Sequence, residues 1–187
     1  MSVLIAVASR HEATEKIAEK LGETIHASGF AVDVVRLTDP PKSGCRPDPA
    51  DYDAVVLGSA VYLGRWLAPA RKFLAENKET LTAQPVWTFS SGPIGQNHVG
   101  DADAVAVSQI SAEIAPIDSR VFGGKLDHDE LGWGERALVK LIRAGDEDNR
   151  DWDAISTWAE GIAAELVRRG LRGAGAPPRP TVLGRPG

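Results

Sequence analysis

Short unbroken apolar runs alternate along this chain with longer stretches in which apolar residues recur every three or four positions. Residues 3–8, Val-Leu-Ile-Ala-Val-Ala, form the first such run, and polar Ser9-Arg10-His11-Glu12 closes it. A run this short and this continuous predicts a strand buried on both faces of a parallel sheet. Ile17, Ala18, Leu21, Ile25 and Ala27 then follow at helical spacing, with Ser28-Gly29 as the stop signal. Val32, Val34 and Val35 predict a second strand. The stretch 37–53 holds four prolines and little periodicity, so it reads as a loop with at most one turn of helix. A third apolar run covers residues 54–58.

Trp66, Ala70, Phe73 and Leu74 predict a helix ending near Asn77, and residues 84–89, with Val86, Trp87 and Phe89, a fourth strand. Asp101 or Asp103 can cap a further helix that buries Val105, Ile110 and Ile114, ahead of a fifth strand at 118–122. The last helix spans about 151–169, with Trp152, Ile155, Trp158, Ala159, Ile162 and Leu166 on one face. From Gly170 the chain turns to Gly, Pro and Arg, which predicts a disordered tail over 171–187. Five strands alternating with helices, without internal repeat, predict an α/β doubly wound parallel sheet with right-handed crossovers, occupying residues 1–170 as one domain.

Composition narrows the chemistry. The 26 acidic residues outnumber the 21 Lys and Arg, a net charge of −5 that opposes general nucleic-acid binding, which needs clustered basic excess. Cys45 is the single cysteine and sits in a polar, proline-rich stretch, so disulfides are excluded and a reducing cytoplasm is the expected location. No apolar run reaches the ~18 residues of a membrane span, and the first residues lack the basic region of a signal peptide, which leaves peripheral membrane contact as the only kind open.

In doubly wound sheets ligands bind beyond the carboxyl ends of the strands, where the strand order reverses, so the tails of strands one, three and four carry the site. The first is Ser9-Arg10-His11-Glu12-Ala13-Thr14, with hydroxyls at both ends and a helix N-terminus behind it. This is a cradle for a phosphate, although the same residues also serve as an ordinary helix cap. It matches neither a P-loop nor a dinucleotide fingerprint. The second is Gly58-Ser59-Ala60-Val61-Tyr62-Leu63-Gly64-Arg65-Trp66, whose small residues let a flat ring approach and whose aromatic side chains offer stacking faces. Trp66 reads more simply as core, and Tyr62 as a loop residue facing the ligand. The third is Ser90-Ser91-Gly92-Pro93-Ile94-Gly95, able to aim amides at the polar edge of a ring, or simply to turn the chain.

Taken together, Ser9-x-x-x-x-Thr14, Gly58-Ser59-Ala60-Val61-Tyr62 and Ser90-Ser91-Gly92-Pro93 resemble the flavodoxin fold and its FMN site. Phe122-Gly123-Gly124-Lys125-Leu126-Asp127, the segment inserted at about 125–150, and Asp151-Trp152-Asp153-Ala154-Ile155 resemble, within that group, the flavodoxin-domain family that contains menaquinone-dependent protoporphyrinogen oxidase. The likeness runs over residues 2–169. It implies a five-stranded sheet of order 2-1-3-4-5 and FMN as cofactor. It further implies that Ser9, Arg10, His11, Glu12, Ala13 and Thr14 hold the phosphate, that Ser59, Ala60, Val61, Tyr62, Leu63, Gly64 and Arg65 flank the isoalloxazine, and that Ser90, Ser91, Gly92, Pro93 and Gly95 meet its pyrimidine edge. The implied activity is FMN-dependent oxidoreduction, with no catalytic acid, base, nucleophile or metal required. Electrons would pass from a reduced small molecule, porphyrin-type in the oxidase, to a quinone or another redox partner. An electron carrier with no substrate of its own is the alternative, as is a flavodoxin fold with an altered FMN site. That last alternative arises from Glu12, which stands where flavodoxins usually have glycine and sets a negative side chain beside the phosphate unless it turns to water. In the inserted segment Arg136, Lys140 and Arg143 share one helical face, which could meet an acidic partner or simply be solvated.

Overall fold

The computed structural model describes residues 1–10, 12–41, 46–62, 64–92, 110, 112–123, 150–171 and 182–183. The chain runs β1 (Ser2–Ala8), α1 (Glu12–Ala27), β2 (Ala31–Arg36), a 3₁₀ turn (Pro49–Asp51), β3 (Ala54–Tyr62) and β4 (Arg65–Trp66). It continues through α2 (Ala68–Glu76), α3 (Lys78–Ala83), β5 (Val86–Gly92), β6 (Asp118–Gly123), α4 (Trp152–Arg168) and β7 (Val182–Leu183). The sheet order is β6-β5-β3-β1-β2-β7, and all of these neighbours are parallel. Numbering only the five main strands in chain order turns this into 2-1-3-4-5, the expected order. Two short strands are additions to it. β4 pairs antiparallel with the end of β3, and β7 lies beside β2. Apart from that two-residue strand and Leu171, which packs on the α1/α4 core layer, the expected tail lies outside the described residues, as do the inserted segment from 124 to 149, Cys45, and most of the helix expected before β6.

Alternation along the strands sorts the core into two layers. Val3, Ile5 and Val7 face α1 and α4, while Leu4, Ala6 and Ala8 face α2 and the buried residues Ile110 and Ile114. Both faces of β1 are therefore dry, which is why the run 3–8 has no polar member. Helix α1 buries Ile17, Leu21 and Ile25 on this sheet, each contributing roughly 1.5–3 kcal/mol, and Gly29, at φ 96°, takes the left-handed conformation just beyond its end. In α4 the expected stripe Ile155, Trp158, Ala159, Ile162 and Leu166 is buried, and Asp151 caps the helix by accepting from the Ala154 amide at 2.9 Å. Trp152 departs from expectation. It stays 37% exposed, one turn before the first buried residue of the stripe, with the Arg150 guanidinium stacked 4.4 Å from its ring centroid.

The fourth main strand begins at Val86 and runs on to Gly92 where 84–89 was expected, and three other boundaries also differ from the sequence reading. β3 runs on to Tyr62, Trp66 belongs to β4 and not to the following helix, and α3 is an additional short helix after Asn77. The extension of β3 comes from close packing. Gly58 faces the α1/α4 layer, where the Phe89 ring of β5 fills the space a side chain would need, and Phe89 in turn packs edge-on against Trp158 and tilted against Phe122. Gly58, the last residue of the expected third run, is thus a strand residue cleared for a neighbouring ring.

A Cβ on residue 58 would fall 2.2 Å from two Phe89 ring carbons. Gly58→Ala is accordingly expected to destabilise the fold by about 3 kcal/mol, with partial recovery when Phe89→Leu is added. Urea unfolding midpoints check this; an unchanged midpoint for the single variant would refute the packing account.

Candidate functional site

The register of the sheet brings the three tails to one level. Ala8 pairs with Ser59, Ser59 with Ser90, and Ser90 with Val121, so along a single rung β1 ends while buried hydroxyls replace apolar side chains on β3 and β5. Ser9, Ser59, Ser90 and Ser91 are all buried there, and so is Thr14 on the first turn of α1. Buried hydroxyls require partners, and these have them. Thr14 Oγ1 and Ser91 Oγ lie 2.7 Å apart, Trp66 Nε1 donates to Ser90 Oγ at 2.8 Å, and Ser59 Oγ accepts from the Leu67 amide at 3.0 Å while donating to the Ala60 carbonyl at 2.8 Å.

Strand alternation determines which hydroxyl goes where. Ser91 follows Trp87 and Phe89 onto the α1/α4 face and meets Thr14, whereas Ser90 points to the α2 face and meets Trp66. The adjacent serines of the third tail therefore serve opposite halves of the site. Gly92 ends β5 beside Gly123 of β6.

The second tail, expected as a loop, is a tight hairpin. Val61 pairs with Trp66 and Tyr62 with Arg65, and Gly64, at φ 71°, supplies the left-handed residue in the turn. Ala60 is half-buried, Val61 is buried inside the core, and Arg65 is exposed. Tyr62 is 39% exposed at the end of β3, and the Arg10 guanidinium of the first tail lies 4.5 Å from its ring centroid. This cation–π contact joins two of the three tails across the edge of the sheet.

Glu12 is the residue that most affects whether the first tail can receive an anion. Its carboxylate is 76% exposed and pairs with Lys16 at 3.1 Å, one turn along α1. The acidic side chain is therefore turned to solvent, and Ala13 behind it is half-buried. His11, Leu63, Pro93 and Gly95 of the expected set lie outside the described residues.

Sequence reasoning missed Arg36. It ends β2, one strand away from the first tail, and its Nη2 donates to the Ser9 carbonyl at 3.2 Å while Nη1 pairs with Glu15 at 3.0 Å. Its position at the carboxyl end of a strand was the available signal. Glu15 is mostly buried, and this burial raises its carboxyl above the ordinary 4.5; the Arg36 charge opposes the rise, and Glu19 and Glu12 add to it.

Comparison with known proteins places this geometry. Residues 4–153 match the family model described as "Flavodoxin domain". The chain is 23% identical over 176 residues, 87% of its own length and 95% of the relative's, to a protein of Escherichia coli K12 named "Protoporphyrinogen IX dehydrogenase [quinone]". Among solved structures it superposes on a flavodoxin from the domain Archaea with a TM-score of 0.58 and 17% identity, covering 89% of this chain and 99% of that one. It also superposes on oxidised Flavodoxin 2 from Bacillus cereus with a TM-score of 0.58 and 20% identity, covering 88% and 99%.

The raised Glu15 carboxyl has a consequence for stability. Unfolded, Glu15 loses its proton near 4.5; folded, it keeps it to higher pH, so its stabilising contribution is full below 4.5 and is lost as pH rises through the folded value. The stability of Glu15→Gln relative to the natural chain is therefore expected to increase from about pH 4 to about pH 7. Denaturant midpoints of both proteins at the two pH values measure it, and a difference that shrinks with pH would reverse the assignment.

Proposed function

Because the chain belongs to the flavodoxin domain family, and FMN is the cofactor of that domain, we propose that it is an FMN-dependent oxidoreductase that takes electrons from a reduced small molecule and passes them to a quinone. The observation that carries the reading is the rung Ala8–Ser59–Ser90, where β1 ends and β3 and β5 come within three residues of their ends, beside the first turn of a helix, neutral hydroxyls and an exposed aromatic ring at one edge.

The residues fit the cofactor. Glu12 points to water, so the amides that open α1 and the Ser9 and Thr14 hydroxyls would hold the phosphate without a competing carboxylate. Tyr62 offers a ring face for the isoalloxazine, and the small residues at 58–60 keep the backbone low beside it. Bound FMN supplies the redox chemistry. The protein's own work is positioning: Arg36 holds the Ser9 carbonyl, Arg10 steadies Tyr62, and the Gly64 turn fixes where the hairpin tip stands.

The similarity to the Escherichia coli protein extends over nearly its full length, and this supports a substrate and acceptor of the kinds its name gives: a porphyrinogen and a quinone. No helix among the described residues is long and apolar enough to cross a membrane, so a lipid-dissolved quinone would be reached from the surface. The flavodoxin superpositions and the acidic balance favour, as the second reading, an electron carrier whose partner is another protein.

Three measurements separate these readings. The purified chain is expected to take up FMN and turn yellow, and a protein that refuses added FMN would remove both. Tyr62→Ala should weaken FMN and riboflavin alike by about tenfold, since stacking on one aromatic ring is worth roughly 1–3 kcal/mol, whereas Ser9→Ala should weaken FMN selectively. Finally, anaerobic protoporphyrinogen IX with a soluble quinone should yield fluorescent porphyrin on addition of the holoprotein. Absence of turnover, with electron exchange to a flavin reductase intact, would assign the chain to the carriers.

A further inference from the structure

The family resemblance assigns Ser91 to the ring end of the cofactor, but its side chain is bonded at the other end. Ser91 Oγ and Thr14 Oγ1 are 2.7 Å apart, both groups are buried, and the bond spans 77 positions of sequence to tie the end of β5 to the first turn of α1. A hydroxyl donates one hydrogen bond and accepts two. The pair therefore holds two protons, one of which is committed to the bond between them, and either oxygen can be its donor. The neighbouring Ser59 has its proton on the Ala60 carbonyl, so it cannot donate elsewhere without breaking that bond.

We propose that Ser91 is a positioning residue for the phosphate of FMN, acting through Thr14: Ser91 donates to Thr14 Oγ1, and this leaves the Thr14 proton to be donated to the anion beside the α1 N-terminus. A negative charge there selects this orientation over its reverse, because a donor aimed at an anion makes the stronger, charge-assisted bond, and the accepted bond from Ser91 polarises the Thr14 hydroxyl further. In this arrangement Ser91 keeps no proton for the ring. Its neighbour Ser90, turned to the opposite face, shares none of this linkage.

The inference rests on the FMN reading, and comparing FMN with riboflavin, which lacks the phosphate, tests the two separately. Flavin fluorescence titrations give both dissociation constants. Ser91→Ala is expected to weaken FMN roughly five- to tenfold while riboflavin stays within about twofold, with Ser91→Thr restoring the preference. On a Thr14→Val background, Ser91→Ala should cause no further loss of that preference. Thr88→Ala serves as the control for folding, because it removes an equally short hydroxyl pair, Thr88–Ser119 at 2.7 Å, from the same strand away from the site. It should lower the melting temperature and leave the FMN-to-riboflavin ratio unchanged. If Ser91→Ala does not fold, the near-isosteric Ser91→Cys, a weak donor, should still show a partial loss of the ratio. Equal weakening of both flavins by Ser91→Ala, an unchanged ratio, or additive effects with Thr14→Val would each overturn the proposal while the FMN reading stands. A natural chain that binds neither flavin would remove both.

Discussion

The two-sided burial of β1 and β3 is the constraint on which the rest of the structure depends. A strand covered by helices on both faces can carry no polar side chain along its length without an internal partner, because an unpaired buried hydroxyl costs about 1–3 kcal/mol. Chemistry is thereby pushed to the strand ends. Since the parallel register sets the end of β1 level with Ser59 and Ser90, near the ends of β3 and β5, the polar groups accumulate together at one edge. The same rule applies within the edge, where the buried serines and Thr14 bond to each other, to Trp66 or to backbone. Position and mutual satisfaction both follow from the absence of water in the two core layers.

How legible this was in the sequence depended on the range of the interaction. The runs 3–8 and 54–58, the α1 stripe and most of the α4 stripe could be read because burial imposes a local pattern, and the five-strand order followed from alternation of strand and helix with the family likeness. Gly58 closes the expected third run, but the reason for a glycine there is Phe89, about thirty positions later, which no local pattern reports, and residues 59–62, read as a loop, continue the strand. Trp152 misled for a different reason. Its helical phase is right, but it precedes the part of α4 that packs on the sheet. At the site, the locations of Ser9, Thr14, Tyr62, Ser90 and Ser91 were legible from strand ends, while their partners were not. Arg36 reaches Ser9 from another strand, and Arg10 reaches Tyr62 from another tail. The opposite facing of Ser90 and Ser91 was hidden as well, because the expected strand stopped at 89 and alternation applies to them only once β5 is seen to reach Gly92.

Glu12 shows why an unexpected residue type need not mean an altered site. At the first turn of a helix an acidic side chain interacts favourably with the macrodipole, and one turn later Lys16 draws its carboxylate along the surface. A glycine at this position would leave the backbone freer and would lack both interactions. The helix thus tolerates Glu12 for reasons that concern its own stability.

The use of hydroxyls in place of buried cations has a physical logic of its own. A lysine or arginine enclosed at this rung would need its charge desolvated, at a cost of several kcal/mol before any anion arrived. The Arg36 guanidinium, which reaches the first tail from within the sheet, avoids this by remaining 38% exposed and pairing with Glu15. Hydroxyls and helix amides carry no net charge, so they can be packed against Trp66 and the strand ends without that cost, and their donor strength rises only when an anion polarises them. Such a site draws its selectivity from the alignment of dipoles, and that alignment is only as firm as the sheet that sets the rung. The stiffness of the β1–β3–β5 register, more than the identity of any single donor, is therefore what the proposed binding edge requires of the fold.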